Sequence, residues 1–236
     1  MNWLIALALA GAVTGAGVAT SRRAVDPVCT KITVIIKDSL ERQYVSIGEL
    51  REQLHQAGLW KTGQPMSHIS CQQIEQLLLS HPMIRRAECY KLGRGELRIV
   101  VRQRQPVVLI AGDEHYYLDT DRKVMPVRAS VNTPVVVVNG RIGKQQAEGE
   151  MYDFVLWLND NKFWQQKIRT IHVVNPKMIE LIDSQNQYTI VLGPLDGAQE
   201  RLGKLEKLYE EGFAKIKYPK YKQIDLQYTG QIVGRK

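Results

Sequence analysis

The chain opens on a long apolar segment that differs from everything after it. Residues 1–21 carry no charged side chain, and Thr14 and Thr20 are the polar interruptions in the run 3–20. A helix of about 20 residues crosses the roughly 30 Å hydrocarbon layer of a membrane. A cleaved signal peptide is the alternative, but signal peptides carry basic residues ahead of the apolar run, and none stands here. The pattern predicts a single N-terminal transmembrane helix, an anchor at residues 1–21.

Shorter alternating patterns follow, and they are typical of strands. Apolar and polar side chains alternate over residues 31–36, which predicts a first strand. Similar patterns over residues 84–90 and 96–104 flank the turn Gly93-Arg94-Gly95 and predict a hairpin. The second hairpin strand is expected to direct three apolar side chains inward, namely Leu97, Ile99 and Val101.

Two helices are predicted between the first strand and the hairpin. Each begins at a capping box, formed by Ser46 with Glu49 and by Ser70 with Gln73. The first helix is expected to end at Gly58 and the second before His81-Pro82. The apolar face of the first helix is expected to contain Ile47, Leu50 and Leu54. The order β-α-α-β-β, with both helices on one face of a three-stranded sheet, predicts a small α+β domain over residues 30–105.

After Gln105-Pro106 the pattern becomes strand-rich. Short apolar runs predict strands at 107–110, 115–118, 123–127, 134–138, 169–174, 178–182, 188–192 and 221–228. One helix is predicted around residues 147–159, and another from a cap at Asp196 to about Glu211. The fold class is therefore α+β, with a β domain containing two helices at residues 106–236.

Composition and charge add little that is specific. Lys plus Arg number 32 against 24 for Asp plus Glu, so the net charge is +8, which favours anionic partners or membrane surfaces. Three cysteines, Cys29, Cys71 and Cys89, are too few for a disulfide scaffold and lack CxxC spacing. A bridge between Cys71 and Cys89 would require the second helix to lie near the second strand. We expect isolated buried thiols instead.

The search for catalytic or ligand-binding chemistry finds no strong pattern. The histidines at 55, 68, 81, 115 and 172 show no metal-binding spacing, and phosphate loops and nucleophile elbows are absent. Asp119-Thr120-Asp121 resembles half of an aspartic-protease site, but a hairpin turn explains it better. We therefore expect no enzyme activity, no catalytic residues, no metal, no cofactor and no small-molecule substrate.

Two basic stretches, on the hairpin and over residues 215–222, could in principle bind nucleic acid. In the hairpin, however, Arg98, Arg102 and Arg104 alternate with inward apolar residues, as on the solvated face of any half-buried strand. We expect no nucleic-acid partner.

The C-terminal run 223–228 predicts a binding edge, because an end strand with little chain after it often forms a sheet edge to which a partner strand can add. Shielding of that edge by residues 231–236 is the alternative.

These patterns together resemble the bacterial cell-division family FtsQ/DivIB, in which a membrane anchor precedes a POTRA domain and a β domain. The runs that carry the resemblance are 79–87 and 97–106 in the POTRA domain and 116–126 and 224–228 in the β domain. Cys89-Tyr90-Lys91 and Gln231-Ile232-Val233 look like the Bacteroidetes branch. The resemblance covers nearly the whole chain.

The resemblance implies a non-enzymatic scaffold of the divisome, essential for septum formation. It would span the cell inner membrane once through residues 3–20, lie mostly in the periplasm at the division septum, and recruit FtsB/FtsL-type partners by β-strand addition. The implied partner-binding residues are Gln223, Ile224, Asp225, Leu226, Gln227, Tyr228, Ile232, Val233 and Gly234. Well-known members carry an Arg where Gln227 stands, so a charge-assisted contact there is not expected to carry over. A POTRA-bearing outer-membrane or secretion assembly factor is the alternative function.

Overall fold

The computed structural model describes residues 26–38, 43–128, 133–185, 188–213, 221–228 and 230–236. The predicted anchor at residues 1–21 and the flanking Arg22 and Arg23 lie outside these described residues. Among the described residues, no helix combines the length and the apolar character needed to cross a membrane.

The first folded unit has the order predicted from the sequence, β-α-α-β-β. Its elements are β1 (Lys31–Ile36), α1 (Ile47–Gln56), a 3-10 turn (Met66–His68), α2 (Cys71–Leu79), β2 (Ile84–Leu92), a 3-10 turn (Gly93–Gly95) and β3 (Glu96–Gln103). In the sheet, β3 lies between β1, to which it is parallel, and β2, to which it is antiparallel.

Local sequence signals position the two helices of this unit. The side chains of Ser46 and Ser70 accept hydrogen bonds from the backbone N–H groups three residues later, at 3.1 and 3.3 Å, which confirms the serine half of each predicted capping box. The prediction that Ile47 is buried was wrong, since Ile47 is 50% exposed. Tyr44 and Val45, just before the cap, fill the core at this end and leave Ile47 outside it.

Within the described ranges, nine strands form a second sheet, in the order β12-β11-β10-β9-β8-β7-β4-β5-β6. The strands are β4 (Pro106–Ala111), β5 (His115–Asp119), β6 (Val124–Pro126), β7 (Val136–Gly140), β8 (Ile168–Asn175), β9 (Met178–Asp183), β10 (Thr189–Gly193), β11 (Gln223–Asp225) and β12 (Val233–Arg235). The helices are α3 (Tyr152–Asp160), preceded by a helical turn (Lys144–Gln146) and a π turn (Ala147–Met151), and α4 (Ala198–Leu208), followed by a π turn (Tyr209–Phe213). Both helices pack their apolar side chains onto the sheet.

Two predictions for the C-terminal part of the chain were wrong. Gly197, and not Asp196, precedes α4, because the backbone there has a φ of 66°, which glycine adopts without steric cost. The last strand is not 221–228 but the shorter β11, and the chain returns as β12. The Asp225 carboxylate accepts a hydrogen bond from the Gln227 N–H at 3.0 Å, and this local turn ends the strand.

The two units share an apolar interface at one end of the large sheet. β5 is buried on both faces: Tyr116 and Leu118 contact the core under α3 and α4, whereas Tyr117 contacts the core of the smaller unit. Met125 of β6 lies in that second core as well. Because alternate strand residues point to opposite faces, one short strand thus belongs to both cores.

A buried ion pair closes the connection between the units. Arg104 follows β3, and its guanidinium donates to the Asp119 carboxylate at 2.7 Å. Asp119 is fully buried, and its other oxygen accepts from the N–H groups of Asp121 and Lys123 at 2.8 and 2.7 Å. This carboxylate therefore fixes both the turn after β5 and the segment that leaves the smaller unit.

A second, half-exposed cluster lies across the same interface. Arg128 follows β6 and donates to both carboxylate oxygens of Glu49, at 2.9 and 3.3 Å, and to the Tyr44 carbonyl at 2.9 Å. The His81 ring lies 3.2 Å from the same carboxylate. The hydrogen bonds from Arg128, more than the contact with His81, hold the pKa of Glu49 below its usual value.

We predict that Asp119→Ala lowers the free energy of unfolding by about 3 kcal/mol, because it leaves the Arg104 charge and two backbone donors without their acceptor. The matched control is Asp121→Ala, which removes an exposed pair with Arg85 and should cost less than about 1 kcal/mol. Denaturant unfolding of the purified chain measures both values. Equal losses for the two variants would contradict the assignment of Asp119.

We also predict a pH-dependent contribution from Glu49. Because the pKa of Glu49 is lower in the folded chain, its stabilisation is complete above its ordinary pKa of 4.5 and is lost as the pH falls through the folded value. The difference in unfolding free energy between the wild type and Glu49→Gln should therefore shrink from pH 7 to pH 3. In an Arg128→Met background the same difference should depend much less on pH, since Arg128 is the main cause of the shift. A constant difference in the wild-type background would refute the prediction.

Candidate functional site

The candidate site is the corner of the large sheet formed by β10, β11 and β12. β11 is parallel to β10 and antiparallel to β12, so it has a neighbour on each side. Its residues Ile224 and Asp225, and Leu226 just after it, are buried. The edge predicted at residues 223–228 is therefore covered, and β12 is the outermost strand of the sheet.

The register shows which backbone groups of β12 face outward. Thr189 N–H donates to the Lys222 carbonyl and Leu226 N–H donates to the Val191 carbonyl, so these groups of the β11 segment point toward β10. The intervening residues Gln223 and Asp225 point toward β12, where they pair with Arg235 and Val233. It follows that the N–H and C=O of Gly234, between those two residues, point away from the sheet.

Two side-chain contacts hold β12 in place. The Arg235 guanidinium donates to the buried Asp225 carboxylate at 3.3 Å. The Tyr221 ring lies against Gly234, so close that a Cβ at this position would be 2.7 Å from a ring carbon. Real Cβ contacts are not this short, so any side chain at Gly234 would displace the Tyr221 ring. From the sequence, Tyr221 is predicted as the first residue of the last strand, and its packing against Gly234 has no local sequence signal.

A groove of about 820 Å³ lies between α4 and residues 226–228 and 230–232, and the latter residues lead into β12. Its apolar wall includes Leu208 and Ile232, which also contact the main core, and Tyr228 at its rim is 49% exposed. Together, the edge could bind an extended strand of a partner and the groove could bind the adjoining segment of the same partner. The sequence signal that could have located the groove is the polar face of α4, which lies opposite Leu202 and Leu205 and borders Leu208.

Five charged side chains line the groove, namely Glu200, Arg201, Lys204, Lys207 and Glu211. The Arg201 guanidinium donates to the carbonyls of Leu192, Pro194 and Asp196, and these hydrogen bonds hold the loop before α4. Burial lowers the pKa of Arg201. Lys204 pairs with Glu200 one turn away, at 2.7 Å. Lys207 is exposed on the same helix.

The predicted partner-binding residues therefore occupy different environments. Gln227 follows the strand and donates its side-chain amide to the Met178 sulfur at 3.6 Å. Gln227, Tyr228 and Gly234 are exposed, and Ile232 and Val233 are partly buried. Gln223 is partly buried, at the start of β11. The structure thus brings six of the nine predicted residues to the surface around the edge and the groove, namely Gln223, Gln227, Tyr228, Ile232, Val233 and Gly234.

Elsewhere, the side chains that the sequence had singled out serve mainly in ion pairs. Asp121 pairs with Arg85, and the hairpin arginines Arg86 and Arg98 pair with Glu88 and Glu96. In the described part of the chain, no group of three or more His, Cys, Asp or Glu side chains could hold a metal ion. The basic residues 215–220 lie outside the described residues.

Comparison with known families gives two matches. Residues 105–235 match the family model "FtsQ/DivIB, C-terminal related", and residues 27–102 match a POTRA-like domain. No curated protein matches the chain. The FtsQ/DivIB match covers more than half of the 236 residues, and it includes both the covered strand β11 and the outer strand β12. This chain, with a POTRA-like domain ahead of a nine-stranded sheet, belongs to the FtsQ/DivIB family.

Proposed function

We propose that this protein is a non-enzymatic divisome scaffold that captures an FtsB/FtsL-type partner by β-strand addition along β12. The observation that carries the proposal is the outward direction of the Gly234 N–H and C=O at the edge of the sheet. An unpaired strand edge offers backbone hydrogen bonds to any extended segment of suitable sequence. The partner strand would become the tenth strand of the sheet.

The groove supports the same proposal. A partner strand laid on β12 would emerge next to the groove, where Tyr228 and Ile232 supply an aromatic and an aliphatic contact. Aromatic side chains at such positions supply much of the binding energy of protein interfaces. Among the charged side chains of the groove, exposed Lys207 would pair with an acidic side chain on the partner segment that follows the strand, whereas Glu211 would disfavour one beside it.

The proposal includes the location of the protein. We infer a single-pass anchor in the cell inner membrane through residues 3–20, with the folded part in the periplasm at the division septum. The supports are the uncharged apolar run in the sequence and the membership of the FtsQ/DivIB family. We propose on the same support that the protein is essential for septum formation.

We predict that Gly234→Pro reduces the affinity for the extramembrane segment of the FtsB-like protein from the same cell by at least about tenfold. Proline removes the outward N–H, and the loss of one backbone hydrogen bond together with the local steric conflict corresponds to roughly that factor. Capture by the immobilised purified chain, followed by titration, measures the effect.

The matched control is Gly234→Ala. It introduces the same Cβ against the Tyr221 ring but keeps the N–H, so its affinity should stay within about threefold of that of the wild type. Equal binding by all three forms would rule out strand addition at β12. Absence of capture by the folded wild type would instead reject the FtsB/FtsL-type partner and favour the assembly-factor function.

A further inference from the structure

Cys71 and Cys89 lie on two elements that pack against each other in the POTRA-like domain. Cys71 is the first residue of α2, and Cys89 lies in the middle of β2. Cys89 is buried in the core of this domain, and Cys71 packs against the same core from its partly exposed position. Both are free thiols. The proximity of helix and strand that a bridge would need is therefore present.

Glu75 shows how closely the first turn of α2 approaches Cys89. Its carboxylate accepts a hydrogen bond from the Cys89 backbone N–H at 2.7 Å. Glu75 lies one turn after Cys71, and residues four apart share a face of a helix. The Cys71 side chain is thus directed at the same point of β2, and its thiol is near enough to raise the pKa of the Cys89 thiol.

The two thiols differ in how easily a reagent reaches them. Burial raises the pKa of the Cys89 thiol strongly, and the contact with Cys71 and the charge of Glu75 raise it further. Cys71, being partly exposed, is the thiol that an incoming oxidant meets first. Cys89 is positioned behind it as the second, resolving thiol.

We propose that Cys71 and Cys89 are a reversible redox pair whose disulfide fastens α2 to β2. The oxidant is a small or protein-bound disulfide, the chemical class of glutathione disulfide. The Cys71 thiolate attacks one sulfur of the oxidant, forms a mixed disulfide and displaces the first thiolate. Cys89 then loses its proton, attacks the Cys71 sulfur and displaces the second thiolate. The pair gives up two electrons and two protons, and the oxidant becomes two thiols.

Cys29 provides an internal comparison. It is fully buried two residues before β1, and its thiol donates to the Lys31 carbonyl at 3.8 Å. It should remain a free thiol under conditions that oxidise the pair. Because the pairing depends on the POTRA-like domain alone, its failure would leave partner capture at β12 unaffected, and the two proposals can fail separately.

The test uses the full chain purified in detergent and equilibrated with glutathione disulfide. Thiol counting should fall from three to one, and mass mapping without reductant should recover a Cys71–Cys89 peptide pair. A bridge between residues 71 and 89 restricts the unfolded chain, so the oxidised form should melt about 5–15 °C above the reduced form. This difference should vanish in Cys71→Ser and persist in Cys29→Ala.

Three results would overturn the proposal: three free thiols in the folded, oxidant-treated chain; a glutathione adduct on Cys71 that Cys89 does not displace; or a bridge that includes Cys29. The mass mapping is performed on the wild type, so it decides between these outcomes even if a variant fails to fold.

Discussion

The burial of β5 on both faces is the constraint on which the arrangement of this protein depends. The strand gives Tyr116 and Leu118 to one core and Tyr117 to the other. Both cores therefore include side chains of this one strand, and Met125 of β6 lies with Tyr117 in the core of the smaller unit. The POTRA-like domain is therefore packed against the β domain by buried apolar surface, the interaction that contributes most to protein stability. The Arg104–Asp119 pair adds geometric precision at the point where the chain passes from one unit to the other.

The outer edge at β12 combines exposure with features that limit unwanted pairing. The strand is only three residues long, and it carries Arg235 with Lys236 directly after it. Short, charged edges discourage a second copy of the same chain from adding, since like charges would meet. A partner with acidic side chains would not meet this barrier. These features disfavour the pairing of β12 with β12 of a second copy.

Local patterns predicted most of the elements because they depend on neighbouring residues. The capping serines Ser46 and Ser70, the alternation in β3 and the hairpin turn all act within a few positions. The length of the last strand was predicted wrongly because the Asp225 carboxylate accepts a hydrogen bond from the Gln227 N–H and ends the strand. A pattern of alternating apolar residues does not indicate such a bond. The interface between the units depends on contacts between distant residues. Its one local sign is the consecutive apolar run Tyr116-Tyr117-Leu118, which is typical of a strand buried on both sides.

The strand order separates two tasks in space. The contact with the POTRA-like domain is made at the β4-β5-β6 end of the sheet, whereas β12 is at the opposite end. Eight strand spacings correspond to about 38 Å. The sheet therefore separates β12 from the strands that contact the POTRA-like domain, and each strand between them adds about 4.8 Å to that separation.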